Sequence, residues 1–316
     1  MFALPLLGWT SALLFCASFF VCFLLFKNAS RILPFDRGRE LAFSGSASKG
    51  KHTSAGLFFV LPACALSIIF SRFNTEIYLY ILLIILETLA GFFDDNSKYP
   101  WGELRKGLID LFIAALASYV FVFFHNTPFL LPLFGTSFTL PPLVTFLLAT
   151  ALIWGSINVV NITDGVDGLS SGLGAITLLS FFVFSNKFLT MWDFQPVVLA
   201  FLGGILAYMF FNASPSTHLM GDSGSRALGM LIALTALKCQ APLLFLVFAL
   251  VFILDGASSM LKLTVLRTTS NKSFMSTIRT PLHDHVRENM HYSDAQTVTR
   301  FCLFQLFLSV LYMLLI

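Results

Sequence analysis

Charged residues are scarce in this sequence. Aspartate, glutamate, lysine and arginine make up only 11% of its 316 residues, whereas 57% are hydrophobic. A soluble domain has roughly 25% charged residues, and a soluble fold of this size could not bury so much apolar surface. The composition therefore excludes a soluble enzyme and predicts an all-α polytopic membrane protein embedded in a lipid bilayer.

Cysteines and leader signals are also few. The five cysteines are scattered without a CxxC pair, so neither disulfides nor a thiolate metal site is expected. The first apolar run, residues 5–26, has no basic segment before it and no A-x-A-like cleavage site after it. We expect this run to be retained as the first span. The net charge of +3 is small, and no nucleic-acid partner is expected.

What the sequence does contain is a series of about ten apolar segments, most of them near the roughly 20 residues that cross a bilayer and the eighth the shortest. The segments are residues 5–26, 56–71, 77–93, 108–124, 140–157, 169–185, 196–211, 226–237, 241–261 and 301–316. Sixteen of the 19 lysines and arginines follow odd-numbered segments, and the others are Arg72, Lys187 and Lys238. The positive-inside rule then predicts cytoplasmic odd-numbered loops and two extracytoplasmic termini.

The polar clusters all lie in the loops predicted to be cytoplasmic. They read SKGKHTSAG, DDNSKYPWGELRK, NVVNITDGVDGLSSG, NASPSTHLMGDSGSRALG and RTPLHDHVRENMHYSDAQTVTR. Five clusters from five loops on one face can converge on a single pocket. The pattern therefore predicts an active site on the cytoplasmic face.

The second cluster begins with two adjacent aspartates, Asp94 and Asp95, at the end of an apolar segment. Two neighbouring carboxylates repel each other in a low-dielectric site, and an ionised acid near the hydrocarbon is costly. A divalent cation, or Lys98, Arg105 and Lys106, would resolve the conflict. Oxygen ligands beside phosphate favour Mg²⁺, and the alternative is a charge cluster that only fixes topology.

The third cluster repeats a polar residue at every third position, through Asn158, Asn161, Asp164 and Asp167. In a helix such residues would form a polar stripe along one face, and Gly165 would permit a close backbone approach to a ligand. The stripe has no lysine or arginine of its own. A metal or a nucleotide could supply its partner, and a structural role is the alternative.

The last two clusters offer a phosphate site and two imidazoles. In GDSGS, Asp222 precedes two serines at the start of a segment, where free N–H groups of a helix suit phosphate and where plain capping is the rival explanation. In PLHDH, His283 and His285 flank Asp284. With no cysteine nearby, general acid–base work or phosphate contact is favoured over zinc, and a surface role stays open.

Together these motifs resemble the polyprenyl-phosphate N-acetylhexosamine-1-phosphate transferase superfamily, and within it the phospho-N-acetylmuramoyl-pentapeptide transferase (MraY) family. The family's DDxxK is matched by Asp94, Asp95 and Lys98, and Lys106 matches its following basic position. Three further motifs are reproduced at residues 158–169 (NxxNxTDGxDGL), 212–229 (NxxPxxxxMGDxGSxxLG) and 281–285 (PxHxH), with a VxRF-like stretch at residues 298–301. The similarity covers nearly the whole chain.

The resemblance implies a single integral-membrane transferase domain, residues 1–316, in the bacterial cytoplasmic membrane. It implies Mg²⁺-dependent transfer of phospho-MurNAc-pentapeptide from UDP-MurNAc-pentapeptide to undecaprenyl phosphate, giving lipid I and UMP. The catalytic residues it implies are Asp94, Asp95, Asp222 and His283, and Asp222 and Asp95 are the implied metal ligands. The implied substrate-binding residues are Thr53, Lys98, Lys106, Asn158, Asn161, Asp164, Gly165, Asp167, Asn212 and His285. A homodimer is left open.

The chain departs from the family pattern at several positions. Asp284 replaces the middle histidine, Val286-Arg287 replaces a hydrophobic-acidic pair, and residues 50–56 keep only part of the first-loop motif, including Thr53. Leu219 replaces an aromatic residue that can stack on uracil. We expect these changes to affect nucleotide affinity more than reaction class, and Asp284→His to leave activity intact or to raise it.

Three alternatives differ from this hypothesis in a testable way. A related transferase would use UDP-GlcNAc or another UDP-sugar with a polyprenyl phosphate. A secondary transporter would bind near the bilayer midplane, commonly between repeated halves, whereas this chain shows no internal repeat and its acids lie at the ends of spans. An inactive homologue would bind without turnover.

Overall fold

The computed structural model describes residues 8–36, 48–71, 74–99, 101–125, 128–271 and 273–316. Within these ranges the chain consists of helices joined by loops, with one small hairpin of antiparallel strands, β1 (Phe129–Leu131) and β2 (Thr136–Phe138). The helices before the hairpin are α1 (Trp9–Ala29), α2 (Gly56–Phe70), α3 (Thr75–Asn96) and α4 (Glu103–Phe124). The helices after it are α5 (Pro142–Thr163), α6 (Leu169–Phe188), α7 (Gln195–Asn212), α8 (Gly221–Lys238), α9 (Phe245–Phe248), α10 (Leu250–Phe252), α11 (Ser258–Thr269), α12 (Leu282–Glu288) and α13 (Asp294–Leu315).

Seven helices of the described chain are long and apolar enough to cross a membrane, and a bent pair makes up to eight. The seven helices are α1, α3, α4, α5, α6, α7 and α13. Two more of the ten predicted segments are also helical, but α2 has only 15 residues and α8 carries three charged residues. The first predicted segment begins at residue 5, outside the described residues, and α1 itself begins at Trp9.

The ninth predicted segment, residues 241–261, is a broken helix and not one straight span. The helical stretches Pro242–Phe248 and Leu250–Thr269 meet at an angle of 75°. Just after the bend the chain forms a π-helical segment, Ile253–Ala257, in which Asp255 is fully buried. Such segments are frequent at functional sites because they reorient single side chains.

Helix α8 lies at the centre of the bundle, and all of its residues are buried. It packs against α2, α3, α5 and α6. Its contact with α2 is close because two glycines meet there: a Cβ added to Gly56 would lie 2.2 Å from the Gly224 Cα. The N-terminus of α8, which carries GDSGS, is thereby fixed among the other helices.

A buried ion cluster lies one helical turn inside the GDSGS motif. The Arg226 Nε lies 2.9 Å from Glu87 Oε1 of α3, and its guanidinium also pairs with Asp110 of α4. Arg226 is one of the sixteen cations predicted to lie in the odd-numbered loops, whereas its side chain is 1% exposed within α8. The physical reason is that two buried acids need a cation beside them.

A second ionic cluster lies at the opposite end of the bundle. The Lys238 Nζ, at the end of α8, lies 2.9 Å from both Glu76 Oε2 and Asp193 Oδ2. The His125 Nε2, just after α4, lies 2.7 Å from Glu76 Oε1. Of the three basic residues predicted for this side, Arg72 lies outside the described residues and Lys187 is in the last turn of α6. Helix α8 therefore runs between two polar ends, and its 18 residues rise about 27 Å.

Candidate active site

Three carboxylates and one lysine lie close together where α3, α4 and α8 converge. Asp94 and Asp95 lie in the last turn of α3, and Asp222 lies in the first turn of α8. The Lys106 Nζ, from the first turn of α4, lies 2.9 Å from Asp222 Oδ2 and also pairs with Asp94. The cluster carries more negative than positive charge, which suits it to bind a further cation beside phosphate.

Asp95 caps the N-terminus of α8 from a different helix. Its Oδ1 accepts a hydrogen bond from the Asp222 backbone N–H (3.1 Å), and its Oδ2 accepts from the Ser223 N–H (3.3 Å) and the Ser54 hydroxyl (2.7 Å). The capping by GDSGS side chains that the sequence allows does not occur, because the N-cap residue is Met220 and makes no side-chain cap. The free N–H groups of this helix end are therefore used to hold a carboxylate.

The three cations that follow Asp94 and Asp95 in the sequence lie in different surroundings. Asp94 is buried, and its Oδ1 accepts a hydrogen bond from the Trp101 N–H at 2.7 Å. Lys106 contacts this carboxylate, whereas Arg105 lies over the Trp101 ring, 3.9 Å from its centroid. Lys98 is exposed. Lys106 is thus the lysine that the fold places within the carboxylate cluster.

The predicted polar stripe follows a helix only as far as Thr163. Helix α5 ends there, Asp164 is its C-cap, and Asp167 lies in the following turn. The Asn161 amide donates to Asp222 Oδ1 (3.0 Å), while the Asn158 amide donates to a backbone carbonyl of its own helix. The stripe prediction is wrong beyond α5 because the glycine-rich sequence turns the chain.

Asp167 joins three separate loops. Its Oδ2 accepts from the Ser216 backbone N–H (2.9 Å) and from Lys51 Nζ (3.1 Å), and Lys51 also donates to the Ser216 hydroxyl (3.0 Å). Lys51 is not among the site residues predicted from the sequence, although it lies within the partly kept first-loop motif. Thr53, two residues later, is buried beside Gly221.

Asn212 is buried and forms three hydrogen bonds to neighbouring protein groups. Its Oδ1 accepts from the Gly168 N–H (2.9 Å) and the Ser171 hydroxyl (3.2 Å), and its amide donates to the His218 carbonyl (3.0 Å). These contacts favour a role in holding the loops of the site.

A stack of aromatic rings supports the same loops. The His52 ring lies between Phe35 and His218, with ring centroids 4.6 Å and 5.4 Å away. Burial, together with His52 beside it, lowers the pKa of His218 to about 4. The ring is therefore neutral near pH 7, and the stack forms without repulsion between two imidazolium groups.

In the PLHDH motif, His283 packs against Gly165 in the loop after α5. This side chain is 2% exposed, and a Cβ added to Gly165 would lie 2.5 Å from its Nε2. The His285 Nδ1 accepts a hydrogen bond from the Arg279 N–H at 3.3 Å. Asp284, where the family has a histidine, lies 3.3 Å from Arg287.

Contacts between neighbouring loops connect all five polar clusters at one end of the bundle. Ser54 joins the first cluster to the second, Lys106 joins the second to the fourth, and Asn161 joins the third to the fourth. Gly165 and His283 join the third to the fifth. The convergence that the sequence predicts is therefore present in the fold.

This fold and this site define a multi-pass, largely helical membrane protein in which five polar loop clusters meet at one end of the bundle. Glycosyl transferase family 4 matches residues 77–240, which include Asp94, Lys106, Asn161 and Asp222.

Relatives that the chain covers over most of their length support a narrower assignment. The chain is 36% identical to the phospho-N-acetylmuramoyl-pentapeptide-transferase of Treponema pallidum, over 93% of this chain and 86% of the relative. It is 30% identical to the Bacillus licheniformis protein of that name (85% and 84% covered) and 29% identical to the Bacillus subtilis protein (89% and 90%). The chain belongs to the phospho-N-acetylmuramoyl-pentapeptide-transferase family, and it is an enzyme that transfers a phosphate-bearing group.

Proposed function

We propose that this protein transfers phospho-MurNAc-pentapeptide from UDP-MurNAc-pentapeptide to undecaprenyl phosphate, giving lipid I and UMP. The observation that carries the proposal is the cluster of Asp94, Asp95, Asp222 and Lys106 at the end of an apolar bundle. An oxygen of the lipid phosphate forms a bond to the phosphorus that bears the sugar. The bond from that phosphorus to the bridging oxygen breaks, and UMP leaves with this oxygen.

Catalysis of this reaction is mainly charge neutralisation and positioning, because two anionic phosphates must approach each other. Lys106 would bind phosphate oxygens from its place between Asp94 and Asp222. Asp94 or Asp95 would accept the proton of the lipid phosphate or orient that phosphate. His283 would approach the sugar diphosphate across Gly165.

The nucleotide would bind along the loop after α5. Asn158, Asn161, Asp164 and Asp167 line its approach, and Lys51 supplies a cation there that the stripe itself lacks. Exposed Lys98 would meet phosphate at the rim, and His285 would lie on the sugar side.

The residues present fit a magnesium ion, although no group of three or more His, Cys, Asp or Glu side chains in the described residues is arranged as a metal site. Lys106 pairs with two of the three carboxylates, Asp94 and Asp222, and Mg²⁺ is commonly held by one or two carboxylates with waters and substrate phosphates. Asp222 and Asp95 would hold it; Asp95 Oδ1 accepts one hydrogen bond and keeps a lone pair, whereas Asp95 Oδ2 already accepts two. When bound, the ion would neutralise charge on the phosphates.

We infer that the polar site faces the cytoplasm of a bacterial cell and that both termini are extracytoplasmic. The asymmetry of lysine and arginine supports this orientation. All ten helical segments would cross the cytoplasmic membrane, with the broken ninth counted as one. The charges of α8 support its inclusion, because Asp222 and Lys238 lie in ionic clusters at its two ends and Arg226 is neutralised inside.

A lipid-linked product assay tests the proposal. Purified protein receives undecaprenyl phosphate with either UDP-MurNAc-pentapeptide or UDP-GlcNAc, with Mg²⁺ or with a chelator. We expect lipid I and UMP only from the first donor and only with Mg²⁺. Product from UDP-GlcNAc alone would favour the related transferase, and turnover that ignores the chelator would overturn the metal assignment.

A further inference from the structure

A buried carboxylate outside every motif contacts the histidine of the proposed site. Asp255, in the π-helical segment after the bend, is fully buried, and both of its oxygens are used on one residue. Its Oδ1 accepts a hydrogen bond from the His283 backbone N–H at 2.7 Å, and its Oδ2 lies 2.7 Å from His283 Nδ1. Two short contacts to one residue fix both the start of α12 and the plane of the ring.

The contact with Asp255 determines which ring nitrogen carries a proton. A carboxylate is an acceptor only, so the hydrogen bond requires a proton on Nδ1. In the neutral ring, Nε2 then has a free lone pair, and in the charged ring it has an N–H. Nε2 is the atom that faces Gly165, where the absence of a side chain lets the ring approach the loop after α5.

The other charged groups near His283 leave this assignment in place. The Asp284 Oδ1 lies 3.7 Å from Nε2, beyond hydrogen-bond distance, and it pairs instead with Arg287. Asp255 is thus the group bonded to the ring, and Nε2 is left to face the site.

We propose that Asp255 is a positioning residue that holds His283 with its proton on Nδ1, so that Nε2 is presented to the phosphate-bearing substrate. The link to the substrate depends on the function proposed above, whereas the state of the ring does not. Partners that orient metal-ligating histidines commonly contribute about 10- to 100-fold to activity, and we expect a contribution of this size from Asp255.

Asp255→Asn separates this role from packing. The His283 N–H still needs an acceptor, so the amide oxygen will face it and the amide NH₂ will face Nδ1. An NH₂ group donates, and it therefore selects the ring form with a bare Nδ1 and a proton on Nε2. The matched control is Glu76→Gln, the same chemical change in a buried carboxylate that contacts His125 at the other end of the bundle.

The test is ¹⁵N NMR of histidine-labelled protein in lipid nanodiscs at pH 8.5, with His283 assigned from the signal missing in His283→Gln. We expect a protonated Nδ1 in the wild type, a bare Nδ1 in Asp255→Asn, and a His283 signal unchanged in Glu76→Gln. We also expect kcat of Asp255→Asn to fall about 10- to 100-fold with little change in the KM for UDP-MurNAc-pentapeptide. Glu76→Gln should keep its kcat.

The outcomes separate the inference from the proposed function. A bare Nδ1 in the wild type, or a proton retained on Nδ1 in Asp255→Asn, would contradict the inference whatever the activity. If the His283 proton lies on Nε2 in Asp255→Asn and the kcat of this variant is unchanged, Asp255 has no role in turnover. If the wild type forms no lipid-linked product, the proposed function fails, and the spectra still decide the state of His283.

Discussion

At the scale of single residues, neighbouring aspartates have different roles in this fold. Asp222 contacts Lys106 and Asn161 with its oxygens, whereas Asp95 binds the backbone at the start of α8. Asp222 lies beside the Lys106 ammonium group, and Asp95 stabilises the N-terminus of α8. The two side chains should therefore differ when each is removed.

Asp95→Ala should lower stability as well as activity. Loss of an N-cap acceptor costs about 0.5–2 kcal/mol, and Asp95 provides this contact to α8. Asp222→Ala should lose activity without such a cost, because removing one of three clustered acids relieves repulsion. Equilibrium unfolding in mixed micelles measures the difference, and an equal loss of stability in both variants would contradict the capping role.

The structure changes the expectation for Asp284→His. Arg287 is 5% exposed, and its partners are Asp284 at 3.3 Å and Asp294 at 2.8 Å. Replacing Asp284 by histidine removes one of these acids from a buried guanidinium, so we now expect the variant to lose stability.

A double-mutant cycle of Asp284→Ala and Arg287→Ala measures this coupling. We expect a coupling energy of about 0.5–3 kcal/mol, the range for residues in direct contact. Asp284→Glu is the control because it keeps the charge. Additive effects of the two alanine changes would show that the departures from the family pattern are independent.

The candidate site residues follow from motifs in the sequence, but their contacts do not. Asn161 and Asp222 lie 61 positions apart, and no local pattern indicates that they meet. Asp255 is a single acid in an apolar segment, and its partner follows 28 residues later. Such pairs depend on how helices pack, which the periodicity of one segment does not determine.

At the scale of elements, the sequence predicts where helices lie better than how they end or bend. The stripe from Asn158 to Asp167 fits a helical spacing, yet α5 ends at Thr163. Gly168, with φ of 87°, adopts the left-handed conformation that favours glycine. The break in the ninth segment has no comparable signal, because residues 245–254 are apolar throughout.

Arg226→Leu tests the ionic contact that joins α3, α4 and α8. The change leaves Glu87 and Asp110 buried without their cation, and breaking such a cluster costs about 3–5 kcal/mol. The variant with Glu87→Gln and Asp110→Asn added should recover most of this loss, since no buried charge is then left alone.

The control for this prediction is Arg267→Leu, which removes an exposed arginine paired with Glu103. Exposed pairs contribute about 0–1 kcal/mol, so little change in stability is expected. Unfolding of Arg226→Leu at the same denaturant concentration as Arg267→Leu would argue against a stabilising triad.

At the scale of the whole molecule, the direction of each helix brings the site together. The end of α3 and the starts of α4 and α8 lie at one end of the bundle, while Glu76, His125 and Lys238 lie at the other. The sequence predicts this polarity because lysines and arginines concentrate in alternate loops. It does not distinguish Arg226, a buried partner of two acids, from a loop cation, because the residue type is the same in both settings.

The central claim is that the acids gathered at one end of the bundle carry out the transfer. Its most direct test is the initial rate of UMP release from UDP-MurNAc-pentapeptide and undecaprenyl phosphate by Asp222→Asn and by Glu76→Gln. Each variant replaces one buried carboxylate, at opposite ends of the same bundle. We predict a loss of about 10²–10³ in kcat for Asp222→Asn and a nearly wild-type rate for Glu76→Gln. Equal rates in the two variants, or a larger loss in Glu76→Gln, would contradict the account.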